Sequence, residues 1–250
     1  MSAPESLWCF PREFLVLGYN EVHVWRATLD LPVPCVQSLG QTLAADELTR
    51  AKQFHFPKDR MHFIVARGIL RAILGCYLAQ DPRKLQFCYS EYGKPLLDWK
   101  PVRDALSFNV THSGGIALYA ITRNREVGVD LEYARMDVAW EQIAERFFSP
   151  GEVGVLRTAP LGMQQEAFFC CWTRKEAYLK ARGIGLSLAL NEFDVSVTPG
   201  APAELLSTRE ENQDIARWSL FDLFPGPGYI AALAVEGHPS HIKCLQWSET

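Results

Sequence analysis

Two stretches decide the reading of this chain: Val127-Gly128-Val129-Asp130-Leu131-Glu132 and Trp172-Thr173-Arg174-Lys175-Glu176-Ala177-Tyr178-Leu179-Lys180. Side chains two apart on an extended strand share a face, so Asp130 and Glu132 point one way while Leu131 points the other. Trp172, Glu176 and Lys180 recur at i, i+4 and i+8 and form one stripe of a helix. If Glu176 meets the pair Asp130 and Glu132, the result is an all-oxygen site suited to Mg²⁺, with a lysine beside it to hold a phosphate.

Outward from these stretches the chain reads as an α+β protein in two halves, 1–124 and 125–250, each with a long helix ahead of short strands. Val22 to Ala27 alternates as a strand does, and Pro32 and Pro34 break the chain before a helix over Leu43 to Phe54. The strongest helix runs from Lys58 to Gln80, with Phe63, Ala66, Leu70, Ile73 and Tyr77 at 3-4-3-4 spacing as its buried stripe. Arg60, Arg67 and Arg71 form a basic edge beside that stripe, either a solvated face or a phosphate site. Leu85 to Tyr89, the turn Glu91-Tyr92-Gly93-Lys94-Pro95, and Leu106 to Val110 follow. Thr111 to Gly115 is read as a tight connection into Ile116 to Thr122, whose two apolar faces mark a central strand. With the strand carrying Asp130 and Glu132, three consecutive strands predict an antiparallel meander.

In the second half Ser149-Pro150-Gly151-Glu152 has the form of a capping box with proline at the first helical position. A helix over Gln164 to Ala181 ends before Gly183, and Phe193 to Val197, Trp218 to Leu223 and Tyr229 to Val235 read as strands.

Composition narrows the classes. The 250 residues are 48% hydrophobic and 22% charged, ordinary for a soluble globular protein, and the net charge of -4 argues against wholesale nucleic-acid binding. No apolar run approaches the roughly 20 residues of a membrane helix, and Met1 to Ser6 shows no basic or apolar leader. Seven cysteines without a CxxC pair suit buried thiols in a reducing cytoplasm.

Each candidate has an ordinary explanation when taken alone. Asp130 and Glu132 could be exposed strand carboxylates, and Glu176 with Lys180 an i,i+4 ion pair contributing about 0.2–0.5 kcal/mol. His112 could bond its own turn, Lys94 could be any turn lysine, and the capping box alone accounts for Glu152.

Their order carries more. Gly93-Lys94-Pro95, Asn109-Val110-Thr111-His112-Ser113, Gly128 to Glu132, Phe147-Phe148-Ser149-Pro150-Gly151-Glu152 and Trp172 to Ala181 together resemble the Sfp-type 4′-phosphopantetheinyl transferase family, from about Ala45 to Val197. The resemblance implies pseudo-twofold halves, each a long helix on a small, mainly antiparallel sheet, with the active site in the cleft between them. It implies transfer of the phosphopantetheine arm of coenzyme A to a serine of an acyl or peptidyl carrier protein, releasing adenosine 3′,5′-bisphosphate, with Mg²⁺. Asp130, Glu132 and Glu176 then fall on the metal, and Glu176 also takes the serine proton. Lys180 holds a phosphate and stabilises the leaving group, and Glu152 is a secondary catalytic candidate. Lys94-Pro95, Thr111, His112, Ser113 and Lys180 fall on the coenzyme A phosphates, Arg50 near the 3′-phosphate and Arg67 in the same region. Thr111 stands where many relatives have serine; both supply a hydroxyl. A monomeric, cytoplasmic enzyme with a basic and apolar carrier-docking surface is expected. A Mg²⁺-dependent hydrolase of nucleotide pyrophosphates and a non-catalytic coenzyme A-binding protein remain as alternatives. A serine hydrolase has no G-x-S-x-G elbow to stand on.

Overall fold

The computed structural model describes residues 8–11, 16–98, 105–135, 137–210 and 215–248. The reading of Met1 to Ser6 lies outside them.

In the first half the order is β1 (Glu21–Thr28), α1 (Val33–Gly40), α2 (Ala45–Lys52), α3 (Pro57–Leu78), β2 (Phe87–Tyr89), β3 (Pro95–Leu97), β4 (Leu106–Ser113) and β5 (Ile116–Arg123). The second half runs β6 (Val127–Tyr133), α4 (Trp140–Phe147), α5 (Pro150–Thr158), α6 (Gln164–Arg182), β7 (Phe193–Val195), β8 (Leu205–Thr208), β9 (Trp218–Leu223), β10 (Tyr229–Glu236) and β11 (His241–Gln246). This is the expected α+β architecture of helices on small, mainly antiparallel sheets.

The first-half sheet has the order β11-β1-β5-β4 and the second β6-β10-β9. β5 is central, and Ala117 to Ile121 are all fully buried, as their apolar faces require. α3 packs Ala66, Leu70, Ile73 and Tyr77 against this sheet with Trp25, Phe108 and Tyr119. By length and mean hydropathy (1.4) α3 could cross a membrane, which the sequence reading did not foresee, but just over half of it is buried in the protein.

Four expectations need correction. The prolines at 32 and 34 do not merely break the chain: Pro34 sits in the first turn of α1, where a missing N–H costs nothing. Thr111, His112 and Ser113 are not turn but the end of β4, and only Gly114 and Gly115, with φ of 56° and 87°, make the connection. The meander stops at β5, because β6 pairs with β10 in the other sheet. The last strand, β11, returns to pair in parallel with β1, so residues 241–246 belong to the sheet of the first half.

β6 nonetheless lies alongside β4. These are the free edges of their two sheets, and β4 side chains bridge them in place of a backbone ladder. Asn109 Oδ1 accepts from Val129 N at 2.9 Å, Thr111 Oγ1 donates to Asp130 Oδ1 at 3.3 Å, and Ser113 Oγ donates to Glu132 Oε2 at 3.1 Å. The partners advance in the same sense along both strands, so the two edges run parallel at this seam.

α6 crosses directly over β6. A Cβ on Gly128 would stand 2.1 Å from Ala177 O and 2.2 Å from Ala181 N, so only glycine admits the helix backbone here.

Candidate active site

The seam and the α6 crossing bring the two motifs together. β6 presents Asp130 and Glu132, and α6 presents Trp172, Glu176 and Lys180 toward them. All five line a cleft of about 730 Å³ together with Thr111, His112, Arg146, Phe147 and the segment Leu188 to Asn191. Residues of both halves therefore share one wall-to-wall space.

Asp130 is the most enclosed of the acids, 4% exposed. Lys180 Nζ donates to its Oδ1 at 2.5 Å and to Thr111 Oγ1 at 3.3 Å, while its Oδ2 is buried without a hydrogen-bond partner. Burial, then the negative charge of Asp130, raises the carboxyl pKa of both Glu132 and Glu176. For Glu176 the charge of Glu132 adds to the same direction, and Lys180 opposes it. A buried orphan oxygen beside two carboxyls that resist ionisation is an environment a hard divalent cation would relieve. Among the described residues no three His, Cys, Asp or Glu side chains converge tightly enough to hold an ion by themselves. An open, oxygen-only site of this kind suits Mg²⁺, which retains waters and binds through one or two carboxylates plus substrate phosphates.

The remaining candidates divide. Thr111 and His112 are on the cleft wall, and Ser113 stands behind it, holding Glu132 and accepting from Tyr133 N at 3.1 Å. Lys94 lies at the end of α6, where Nζ donates to Lys180 O at 2.9 Å and to Val127 O at 3.3 Å. It thereby binds terminal helix carbonyls, and burial lowers its pKa, with Glu126 opposing. Pro95, in β3, pairs with Tyr89. Arg50 is exposed and sits over the Phe63 ring, with its guanidinium carbon 5.7 Å from the centroid.

Arg67 is neither on a solvated face nor in the cleft lining. It is buried with Arg71 around one buried carboxylate, Glu47: Arg71 Nε donates to Glu47 Oε2 at 2.7 Å and Arg67 Nε lies 3.4 Å from Oε1. Arg71 also caps the carbonyls of Pro82 and Leu85 at 2.8 and 3.0 Å. Of the basic edge only Arg60 stays exposed. Glu152 makes the expected capping box, with Ser149 N to Oε2 at 3.0 Å and its own N to Ser149 Oγ at 3.2 Å. It is buried and outside the cleft lining.

Reasoning from sequence missed Arg146, Phe147 and the wall Leu188-Ala189-Leu190-Asn191 as parts of the site. The wall carries no charge and no periodicity, so nothing flagged it. Asn109 is legible only as a member of its motif, and its bond across to Val129 N is not.

Against this geometry, residues 126–234 match the model of the 4′-phosphopantetheinyl transferase superfamily, and 33–124 match that of 4′-phosphopantetheinyl transferase, N-terminal. The 4′-phosphopantetheinyl transferase HetI of a Nostoc species is 44% identical over 223 residues, 89% of this chain and 91% of HetI. The chain belongs to the 4′-phosphopantetheinyl transferase family. A putative 4′-phosphopantetheinyl transferase of Synechocystis is 36% identical over 170 residues, 68% of each chain. The Sfp protein of Bacillus subtilis is 29% identical over 153 residues, 61% of this chain and 66% of Sfp. Asp130, Glu132, Glu176 and Lys180 all fall within the matched range 126–234, and Thr111 and His112 within 33–124.

Proposed function

We propose that the cleft moves the 4′-phosphopantetheine group of coenzyme A onto a serine of an acyl or peptidyl carrier protein. One observation carries the reading: residues from both halves converge on a space with three acids, a lysine and a histidine, in a chain of this family. The serine oxygen forms a bond to the β-phosphorus, the bond to the adenylate-side oxygen breaks, and adenosine 3′,5′-bisphosphate leaves.

Asp130, Glu132 and Glu176 are the residues that would hold Mg²⁺, which when bound neutralises pyrophosphate charge and orients it for attack. Glu176, half-buried and with its pKa raised, accepts the serine proton, since a base works best when its pKa approaches the working pH. Lys180, one helical turn on, shifts from Asp130 to a phosphate oxygen and stabilises the charge that develops on departure. Thr111 and His112 supply further donors on the same wall. We further take the enzyme to act as a cytoplasmic monomer, because one chain contributes both sides of the cleft and seven cysteines without a CxxC pair suit a reducing compartment.

Incubation with coenzyme A, Mg²⁺ and a panel of apo carrier proteins tests this, read by the mass added to each carrier. Transfer to a single serine is expected, lost on chelation and in Glu176→Gln. Breakdown of coenzyme A without a carrier would favour a hydrolase, and tight binding without any transfer a non-catalytic role.

A further inference from the structure

Glu152 and Lys175 form an ion pair at the root of the cleft. Lys175 is wholly buried and Glu152 is 3% exposed. An ammonium has three donors, and each finds a partner: Glu152 Oε1 at 2.8 Å, Leu190 O at 2.7 Å and Phe193 O at 2.6 Å. The carboxylate is equally engaged, with Oε2 accepting from Ser149 N at 3.0 Å and Oε1 also from Val195 N at 2.9 Å. The Phe193 ring faces Lys175 Nζ at 4.3 Å. One pair thus ties together the start of α5, the middle of α6, the segment after α6 and β7.

Leu190 belongs to the cleft wall; Lys175 and Glu152 do not line it. The wall lies between two single 3₁₀ turns, running from just after Gly185–Ser187 into Leu190–Glu192, with one i to i+3 backbone bond apiece at 3.3 and 3.0 Å. Such turns are weakly held on their own. Leu188 and Leu190 are buried in the core, and the polar bonds that hold the second turn from outside are the Lys175 ammonium to Leu190 O and Arg209 N to Glu192 O at 2.8 Å. Lys175 is also the chain neighbour of Glu176, and successive helix residues project about 100° apart. The same turn of α6 therefore carries Glu176 into the cleft and grips the opposite wall.

We propose that Lys175, locked to Glu152, is a positioning residue for the transfer: it pins the wall Leu188 to Asn191 at a fixed place relative to Glu176. Glu152 acts through Lys175 and touches no reacting atom, since both its oxygens are committed to the pair and the cap. The inference rests on the transferase reading only in taking the pinned wall to face coenzyme A.

The test is the double variant Glu152→Gln/Lys175→Met, which removes both charges while keeping side-chain length; joint removal of a buried pair is tolerated where removal of one partner is not. Amide exchange at 188–193 is expected to quicken roughly tenfold, and KM for coenzyme A to rise roughly tenfold, while kcat falls less and keeps its pH profile. Unchanged exchange and unchanged KM would reduce the pair to plain stabilisation. A kcat loss of about 100-fold with KM kept and the pH profile displaced would make Glu152 catalytic instead. If the double variant does not fold, amide exchange on the parent decides: protection at 190–193 close to that of α6 supports a pinned wall, and exchange at the rate of the exposed loops overturns it. A parent protein that transfers nothing counts against the transferase reading, and the exchange rates still decide whether the pair pins the wall.

Discussion

Replacing Gly128 by alanine tests how closely the fold and the site depend on one contact. Gly128 has no left-handed backbone angle, so the cost comes from space alone. The new Cβ would stand 2.1 Å from Ala177 O, 2.2 Å from Ala181 N and 2.8 Å from Lys180 C, all backbone atoms of α6 that cannot rotate away. Ordinary contact begins near 3.4 Å, so α6 must lift from β6 by about 1 Å. Overpacking of this kind costs about 1–3 kcal/mol, or roughly 2–12 °C in Tm for a chain of this size. The functional cost is larger in proportion. β6 carries Asp130 and Glu132, α6 carries Glu176 and Lys180, and the lifted gap runs between them. A displacement of about 1 Å at reacting groups costs on the order of 100-fold in rate. Thermal melts and kcat/KM for carrier labelling measure both effects on one preparation. A Gly128→Ala protein with the parent's Tm and the parent's kcat/KM would refute the claim that this close approach sets the geometry of the acids.

Three further outcomes are expected. His23, fully buried with Nδ1 2.6 Å from the Tyr77 hydroxyl, has its pKa lowered to about 4, chiefly by burial and then by Lys243, with Glu21 opposing. The unfolded chain takes up that proton near pH 6.5, so stability falls as pH drops from there toward 4, by up to about 3 kcal/mol; denaturant titrations of the parent and His23→Gln should differ in slope across this window and share a slope above it. Arg67→Met should lower stability by about 1–3 kcal/mol, because Glu47 keeps only Arg71 as a counter-charge, yet leave coenzyme A affinity within a few fold by calorimetry. A folded variant with a 100-fold weaker affinity would return Arg67 to the phosphate site. Asp130→Asn should keep its Tm to within a few degrees but lose transfer by about 100-fold or more, and a variant that still labels carrier at the parent rate would overturn the role proposed for Asp130 as a metal ligand.

Much of this was legible in the sequence because local patterns and tertiary demands agreed. The period-2 placement of Asp130 and Glu132, the i, i+4, i+8 stripe of α6, the capping box at Ser149 and the apolar β5 all follow from geometry within one element. What stayed hidden depends on partners far along the chain. Nothing in Val127 to Glu132 says that its edge pairs with β10, some hundred residues away, and nothing in His241 to Gln246 says that it returns to β1. The burial of the α3 arginines stayed hidden for the same reason. Spacing put Arg67 and Arg71 on a polar edge, but Glu47, on another helix, supplies a buried counter-charge, and a paired arginine can enter a core that a lone one cannot. Lys94 was legible as a motif residue, while its position on the carbonyls of α6 was not.

The seam between the two sheets explains why the site lies there. Two free sheet edges normally invite pairing by backbone ladder. Here Asn109, Thr111 and Ser113 reach across from alternate positions of β4, and the edges stay far enough apart for side chains to stand between them. Two of these three bridges end on the carboxylates of the site, Thr111 on Asp130 and Ser113 on Glu132. The bonds that join the halves are thus the bonds that orient the acids, and a change that loosened the seam would misdirect the acids at the same time. Asn109 ends on backbone and on no carboxylate, at Val129 N, where it satisfies a buried donor, whereas Ser113 accepts from Tyr133 N and also holds Glu132. Loss of Asn109 should therefore act on stability first, whereas loss of Thr111 or Ser113 should act first on the cleft. That ordering separates the structural end of the seam from its chemical end within a run of five residues.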